Sequence, residues 1–483
     1  MKRVLILLLI QPFIFGCPAT PTQPDEVPTE APREVRDFNQ IPEYQELSLL
    51  QGELEVVELG SSDGVSAFRI GSLEVLHLPT PANEVVAARL YFRGGVAALG
   101  EETAGIERLA LSVAANGGTT EIPRDEFNAR LDRIGSSIGF ISDRDFSALT
   151  MNSVREYFDE TWELFEGAIF EPAFPDDEVE RRRDRQSASI ETIGDDPDRL
   201  VNEVARDLTF GDHPYSLREL GTLETLRGFQ ADDLRSWQRS LLSPDRMVLV
   251  VVGNVDREEL VEKLTSRLAR VPFSTSEVPE IPAIPQRESS LRIERMSLPT
   301  NYILGYYAAP SMEHPDYPAL VLATRHLRDR LFEEVRTRRN LTYAVSAGLG
   351  NRRANVGFLY VTAVDPEATM PVIFAEVERM KEVPLSETEL QEVRNVFLTS
   401  HYMGLETNSS IAGQLATATL IGGDWSLHGR FLEGINRVTA EDIQRVSAQY
   451  MQGIHFGVVG SPDDMSPALF GVSEGHDEEI DEH

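Results

Sequence analysis

The sequence predicts an α+β protein built from two homologous halves, each an antiparallel-rich sheet with helices packed on one face. Three observations lead there. Strand-like and helix-like periodicities interleave along the chain, which lays helices against sheets instead of gathering them in a bundle. The order of elements in residues 46–270 recurs in residues 292–470, the mark of an internal duplication. Between the two, Pro272, Pro279, Pro282 and Pro285 interrupt every periodicity, so residues 271–291 read as a linker.

The chain opens with Lys2 and Arg3, followed by an apolar run from Val4 to Ile10 that Phe13, Ile14 and Phe15 extend past Pro12. That run is too short to span a bilayer and reads as an export signal over residues 1–17. Its end, Ile14-Phe15-Gly16-Cys17, resembles a bacterial lipoprotein cleavage box, which implies a lipid on the Cys17 sulfur. The expected location is the cell envelope on its periplasmic side. Pro18 is not an acidic retention residue, which leans the expectation toward the outer membrane. Residues 18–45, rich in Pro, Thr and Glu, bury too little apolar surface to fold and read as a tether.

In the first half, Leu73–Leu78 and Val85–Phe92 read as strands, the second closed by Gly94-Gly95. Helical periodicity follows over Ile106–Ala115 and Arg124–Ile134. Ala148–Ser153 is a further strand, Glu156–Phe170 an amphipathic helix and Arg246–Gly253 a strongly apolar strand. In the second half, Phe358–Ala363 echoes Phe146–Met151. Leu385–Leu390 echoes Phe174–Val179, and Leu385 lies 211 residues beyond Phe174. Residues 471–483 form an acidic tail.

The 483 residues carry 79 acidic against 45 basic side chains, a formal net charge of −34. Such a surface argues against nucleic acid and against docking on anionic head groups, both of which need a basic face. The single cysteine rules out an intrachain disulfide. No Gly-rich phosphate loop and no Ser/His/Asp signature is present. The histidines are His77, His213, His314, His326, His401, His428, His455, His476 and His483, and none pairs with another at ligand spacing in the sequence. His213 reads as a packing residue. Arg181, Arg182, Arg183 and Arg185 alternate with Glu178, Glu180 and Asp184, a solvated, ion-paired helix face.

Several strings carry a family resemblance: Gly105-Ile106 ahead of a helix; Asn152 to Phe174, ending Glu171-Pro172-Ala173-Phe174; Phe210-Gly211-Asp212-His213-Pro214-Tyr215 followed by Gly221; Val250 to Asp256; and Arg336 to Tyr343. In order and spacing, over about residues 45–470, they resemble the pitrilysin/insulinase metallopeptidase family in its bacterial processing-peptidase-like branch. The resemblance implies paired halves that form a clam-like chamber around an extended peptide. Active members carry His-x-x-Glu-His on the helix after the Gly105-Ile106 equivalent. Two histidines at i and i+4 grip zinc from one helix face, the Glu acts as general base, and a later Glu is the third ligand. Here the ligand and base positions read Arg108, Leu111 and Ser112, and the later Glu falls at Ser189, with Glu191 the alternative under a small shift of alignment. An arginine at the first ligand position repels a dication.

The resemblance also implies that Arg336 and Tyr343 reach a substrate carbonyl near a zinc site, where a cation and a phenol stabilise a developing oxyanion. Asn340, where the family often has Gly, suits the left-handed position after a helix. The segment Leu322–Arg328 lacks the glycines that some non-catalytic relatives place there. The expected function is therefore a non-catalytic, zinc-lacking subunit that contributes Arg336 and Tyr343 to a zinc-bearing homologous partner for peptide hydrolysis. The alternative is an envelope-anchored peptide-binding or scaffolding protein. No cofactor is expected in this chain; zinc is expected in the partner. The further expected partners are a peptide or unfolded-protein substrate and the membrane, through the lipid.

The anchor is directly testable. Cys17→Ser should release the protein from membranes on fractionation, because multiple acyl chains anchor stably where a single one does not. A variant as firmly membrane-bound as wild type would contradict lipidation at Cys17.

Overall fold

The computed structural model describes residues 48–49, 54–273, 278–461 and 465–472. The expected export signal, Cys17, the whole tether and nearly all of the acidic tail lie outside the described residues.

The first half contributes strands β1 (Ser48–Leu49), β2 (Val56–Ser62), β3 (Val65–Ile70), β4 (Leu73–Pro79), β5 (Val85–Arg93), β6 (Ser137–Ser142), β7 (Phe146–Val154), β8 (Met247–Gly253) and β9 (Pro272–Phe273). Its helices are α1 (Ile106–Ala114), α2 (Arg124–Ile134), α3 (Phe158–Phe170), α4 (Asp176–Glu191), α5 (Pro197–Phe210), α6 (Leu223–Gly228), α7 (Ala231–Leu241) and α8 (Arg257–Leu268). The second half contributes β10 (Ser290–Arg295), β11 (Asn301–Ala309), β12 (Val345–Leu349), β13 (Asn355–Ala363) and β14 (His455–Gly460). With them come α9 (Tyr317–Leu331), α10 (Pro366–Glu382), α11 (Glu387–Met403), α12 (Asn408–Leu420), α13 (Leu427–Arg437) and α14 (Ala440–Tyr450).

The duplication is visible in the sheet order. The first sheet runs β2-β3-β4-β8-β5-β7-β6 and the second β10-β14-β11-β13-β12. β4 and β8 are parallel, as are β10 and β14, and the remaining neighbours in both sheets are antiparallel. Each half therefore repeats one five-stranded pattern, to which the first half adds the β2–β3 hairpin. β6 and β12 are equivalent outer strands.

Each half's own helices cover one face of its sheet. Leu109, Phe165, Trp237 and Leu260 meet Phe68, Leu90 and Leu149 in the first half. Leu320, Leu327, Ile373 and Val446 meet Ile303, Leu359 and Val361 in the second. The opposite faces are closed by an exchange. α12, from the second half, lies on β5 and β8, where Ala412, Leu415, Ala416 and Leu420 pack on Val65, Leu76, Val248 and Val250. α5, from the first half, lies on β11 and β14, where Val201, Val204 and Ala205 pack on Leu304 and Val459. This explains why β8 reads Met-Val-Leu-Val-Val-Val-Gly with every residue buried: successive side chains point to opposite faces and both faces are covered.

Local chemistry starts both exchanged helices. The Asp196 side chain accepts from the N–H groups of Asp198 and Arg199, with Pro197 in the first turn of α5. Thr407 caps α12 by accepting from Ser410 N–H. Buried Asn408 then ties α12 to the first half, donating to Val85 O at 2.6 Å and to Thr80 Oγ1 at 3.0 Å. α5 comes so close to β14 that a Cβ at Gly457 would sit 2.6 Å from the Ala205 backbone nitrogen.

Gly457→Ala should accordingly lower unfolding stability by about 1–3 kcal/mol, the usual range for overpacking a core, with one cooperative denaturant transition retained. An unchanged midpoint would contradict so close an approach of α5 to the sheet.

Candidate functional site

The degenerate motif lies on α1. This helix begins at Gly105, whose φ of 87° is left-handed. A Cβ there would meet Leu220 O at 2.7 Å, so glycine is required. Buried Gln186 of α4 donates to Gly105 O at 3.1 Å and to Leu220 O at 2.9 Å, fixing α4 against the start of α1. From this frame Leu111 points into the core and is fully buried. Ser112 is buried and donates its hydroxyl back to Leu109 O at 2.8 Å. Ser189, on α4, donates to Arg185 O at 3.0 Å, and Glu191 is an exposed residue at the end of that helix. Both hydroxyls are thus spent on their own helices.

Arg108 is half-buried, its guanidinium carbon 5.6 Å from the centre of the Phe140 ring on β6. The donor set at these positions, one guanidinium, one leucine and two serines, does not fit zinc, which takes Cys, His or carboxylate ligands. Among the described residues no group of three or more His, Cys, Asp or Glu is arranged to hold a metal ion.

Glu107, next to Arg108, is buried and accepts from Ser142 Oγ of β6 at 2.9 Å. Burial pushes its carboxyl up to about 8, more than the Ser142 hydrogen bond pulls it down. The side chain is therefore mostly protonated at neutral pH and adds little charge beside Arg108.

Arg336 and Tyr343 lie in the second half. α9 runs directly into a π-helical turn, Phe332–Arg338, a widened geometry often found at functional sites. Asn340 ends it with φ 51°, and Leu341 N–H donates to Val335 O at 2.9 Å. The chain then turns into β12, and Thr342 Oγ1 accepts from Ala344 N–H at 3.1 Å. Between these anchors Tyr343 is 83% exposed. Its ring lies 5.0 Å from the Arg336 guanidinium carbon, and the Phe332 ring lies 4.9 Å from it. The arginine is held by two aromatic rings. Its neighbours are committed elsewhere: Arg330, Arg338 and Arg339 all pair with the buried carboxylate of Glu334. Arg336 has no carboxylate partner among the described residues.

Phe332 and Phe140 were not singled out in the sequence. Phe332 was within reach, since it precedes Arg336 by four residues on a helix and such residues are neighbours. Phe140 was not, because its contact with Arg108 joins a strand to a helix. His213 holds a loop: its Nδ1 accepts from Tyr215 N–H at 3.1 Å and its Nε2 lies 2.8 Å from Pro282 O. His401 of α11 and His428 of α13, far apart in sequence, stack with ring centres 5.5 Å apart. In the run beginning at Arg181, Arg181 and Arg182 pair with Glu178 at 2.7 and 2.6 Å.

Comparison with known proteins places this arrangement. Residues 74–222 match the family model described as Insulinase (Peptidase family M16), and residues 228–397 the model described as Peptidase M16 inactive domain. An uncharacterized zinc protease of Mycobacterium leprae is 29% identical over 307 residues, which are 59% of this chain and 66% of that protein. The mitochondrial-processing peptidase subunit beta of Saccharomyces cerevisiae is 22% identical over 354 residues, 68% of this chain and 75% of that subunit. The crystal structure of a peptidase M16 inactive domain from Pseudomonas fluorescens superposes with a TM-score of 0.75 at 18% identity, covering 84% of this chain and 98% of that one. The chain belongs to the M16, or insulinase, peptidase family.

Proposed function

We propose that this chain is the metal-free subunit of a two-subunit M16 peptidase, holding peptide and presenting Arg336 and Tyr343 to the active site of a zinc-bearing homologue. One observation carries the reading. Arg108, Leu111 and Ser112 at the motif positions of α1 offer no metal donor of the His or carboxylate kind, while half-buried Arg336 stays ring-mounted beside exposed Tyr343 and reaches no carboxylate among the described residues. Loss of function alone gives no reason for the second set to stay so ordered when the first is gone.

The chemistry assigned to this chain's own residues is binding and orientation. A guanidinium fixed between two rings offers its N–H groups to a carbonyl oxygen with little loss of side-chain freedom. The Tyr343 hydroxyl supplies a second donor. Both act most strongly when charge develops on that oxygen. The peptide itself has a place to lie, since β6 and β12 are outer strands with one strand neighbour each, and open edges accept extended chains through backbone hydrogen bonds. Attachment through Cys17 would hold the assembly at the periplasmic face of the envelope.

The isolated chain should retain no stoichiometric zinc by elemental analysis and cleave no peptide. Mixed with a zinc-bearing M16 partner and checked for assembly by size-exclusion chromatography, wild type should support cleavage. Arg336→Ala or Tyr343→Phe should lower turnover of the intact complex by about a hundred- to a thousand-fold, the usual cost of one oxyanion donor. Arg336→Lys should not restore it fully, because an ammonium cannot reproduce the planar fork. Unchanged turnover with both variants in an assembled complex would favour a scaffold without a catalytic share.

A further inference from the structure

Among the described residues, the cations that pack on aromatic rings follow one rule with two exceptions. Arg144, Arg155, Arg257, Lys263 and Arg267 each lie over a ring and also reach a carboxylate. Arg108 and Arg336 lie over rings and reach none among the described residues. In a chain with 79 acidic side chains against 45 basic, a nearby carboxylate is the ordinary partner of such a cation. Arg336 already has a role in the proposed function. Arg108 has none.

Its surroundings define what it can meet. α1 packs against β6, and Phe140, under the Arg108 guanidinium, is in the middle of that strand. Among the described strands β6 pairs with β7 alone. Asp143 N–H donates to Phe146 O at 2.9 Å at the head of the hairpin. Hydrogen-bonded and non-hydrogen-bonded pairs alternate from there along the antiparallel ladder. That alternation turns the backbone N–H and C=O groups of Ile138, Phe140 and Ser142 toward the open edge. An extended chain laid along this edge exchanges hydrogen bonds with Phe140, and its residue opposite Phe140 carries its side chain on the same sheet face. That side chain lies beside the Phe140 ring and within reach of Arg108. Glu107 does not compete for the arginine, since its carboxyl is turned to Ser142 Oγ, which donates to it at 2.9 Å.

We propose that Arg108 and Phe140 form a subsite for an acidic side chain of an extended peptide paired with the open edge of β6. The position that corresponds to a metal ligand in active relatives thus keeps a positive charge but uses it for recognition. This rests on the peptide-holding part of the proposed function and is independent of catalysis in trans. The guanidinium supplies a charge-assisted contact to the carboxylate, and the ring limits the conformations it samples.

The test uses the isolated full chain and two fluorescein-labelled octapeptides of alternating Val and Thr, identical except for Glu or Gln at one central position. Fluorescence polarisation is read at physiological ionic strength, where charges beyond about 8 Å are screened and the net charge of the chain does not set the preference. The Glu probe should bind about tenfold more tightly than the Gln probe, as one charge-assisted contact allows. Arg108→Gln should erase that ratio while leaving the Gln probe's affinity unchanged. Arg108→Glu should reverse it in favour of a probe with central Lys. Unaltered thermal melting of the variants shows that the fold is intact, as expected for a half-buried side chain without hydrogen bonds among the described residues. Equal affinity of wild type for the Glu and Gln probes, or a ratio that survives Arg108→Gln, overturns the subsite alone. Failure of wild type to bind either probe overturns the peptide-holding reading together with it.

Discussion

The structure depends on a reciprocal exchange of helices. Each sheet can bury one face under helices of its own half; the other face would be open without α5 or α12. Leaving it open would expose Val248, Val250 and Val252 on one sheet and Leu304 and Val459 on the other, at about 25 cal/mol for each Å² of apolar surface. The two halves are thus one folding problem. Arg352–Asp143 at 2.5 Å and the Ala354 N–H bond to Tyr215 Oη at 3.2 Å seal the same junction with polar contacts.

That exchange also constrains the site. α4 carries Ser189 and is pinned to α1 by Gln186, and the chain leaving α4 immediately becomes α5, which is committed to the other half. Arg199 of α5 donates back to Ser189 O at 2.8 Å. α1 and α4, which carry the motif positions, are therefore held by packing that does not involve a metal. At the motif positions of α1, Leu111 adds to the core, Ser112 satisfies itself within the helix and Arg108 rests on Phe140. Each half keeps an outer strand and sets on aromatic rings an arginine that reaches no carboxylate among the described residues.

Much of this was legible in the sequence because local physics decides it. The period-2 strands at Leu73 and Val85, the helix at Arg124 and the left-handed Asn340 all follow from nearest-neighbour patterns. The exchange was not legible. Residues 197–210 were not read as a helix, and Val201, Val204 and Ala205 fit either sheet equally well, so only the three-dimensional path selects the second. The wall-to-wall apolar run of β8 was the sole hint, since a strand buried on both faces needs a cover its own half does not supply. Arg336 and Tyr343 were found through a motif, and Phe332, four residues before Arg336, lay within reach of the helical period; the return of Tyr343 onto the same guanidinium depends on the π-helical turn, which leaves no periodic signature. The contact of Arg108 with Phe140 depends on how α1 lies across β6, which no local pattern encodes.

The central claim is that Arg336 and Tyr343 of this chain face the metal of a partner when peptide is held between them. Paramagnetic NMR tests it most directly, with fluorotyrosine placed at position 343 alone and the partner loaded with cobalt(II) or zinc. In the peptide-bound complex the fluorine resonance should broaden and shift with cobalt and stay sharp with zinc. Identical spectra with the two metals, in a complex shown to be assembled and peptide-bound, would contradict the claim.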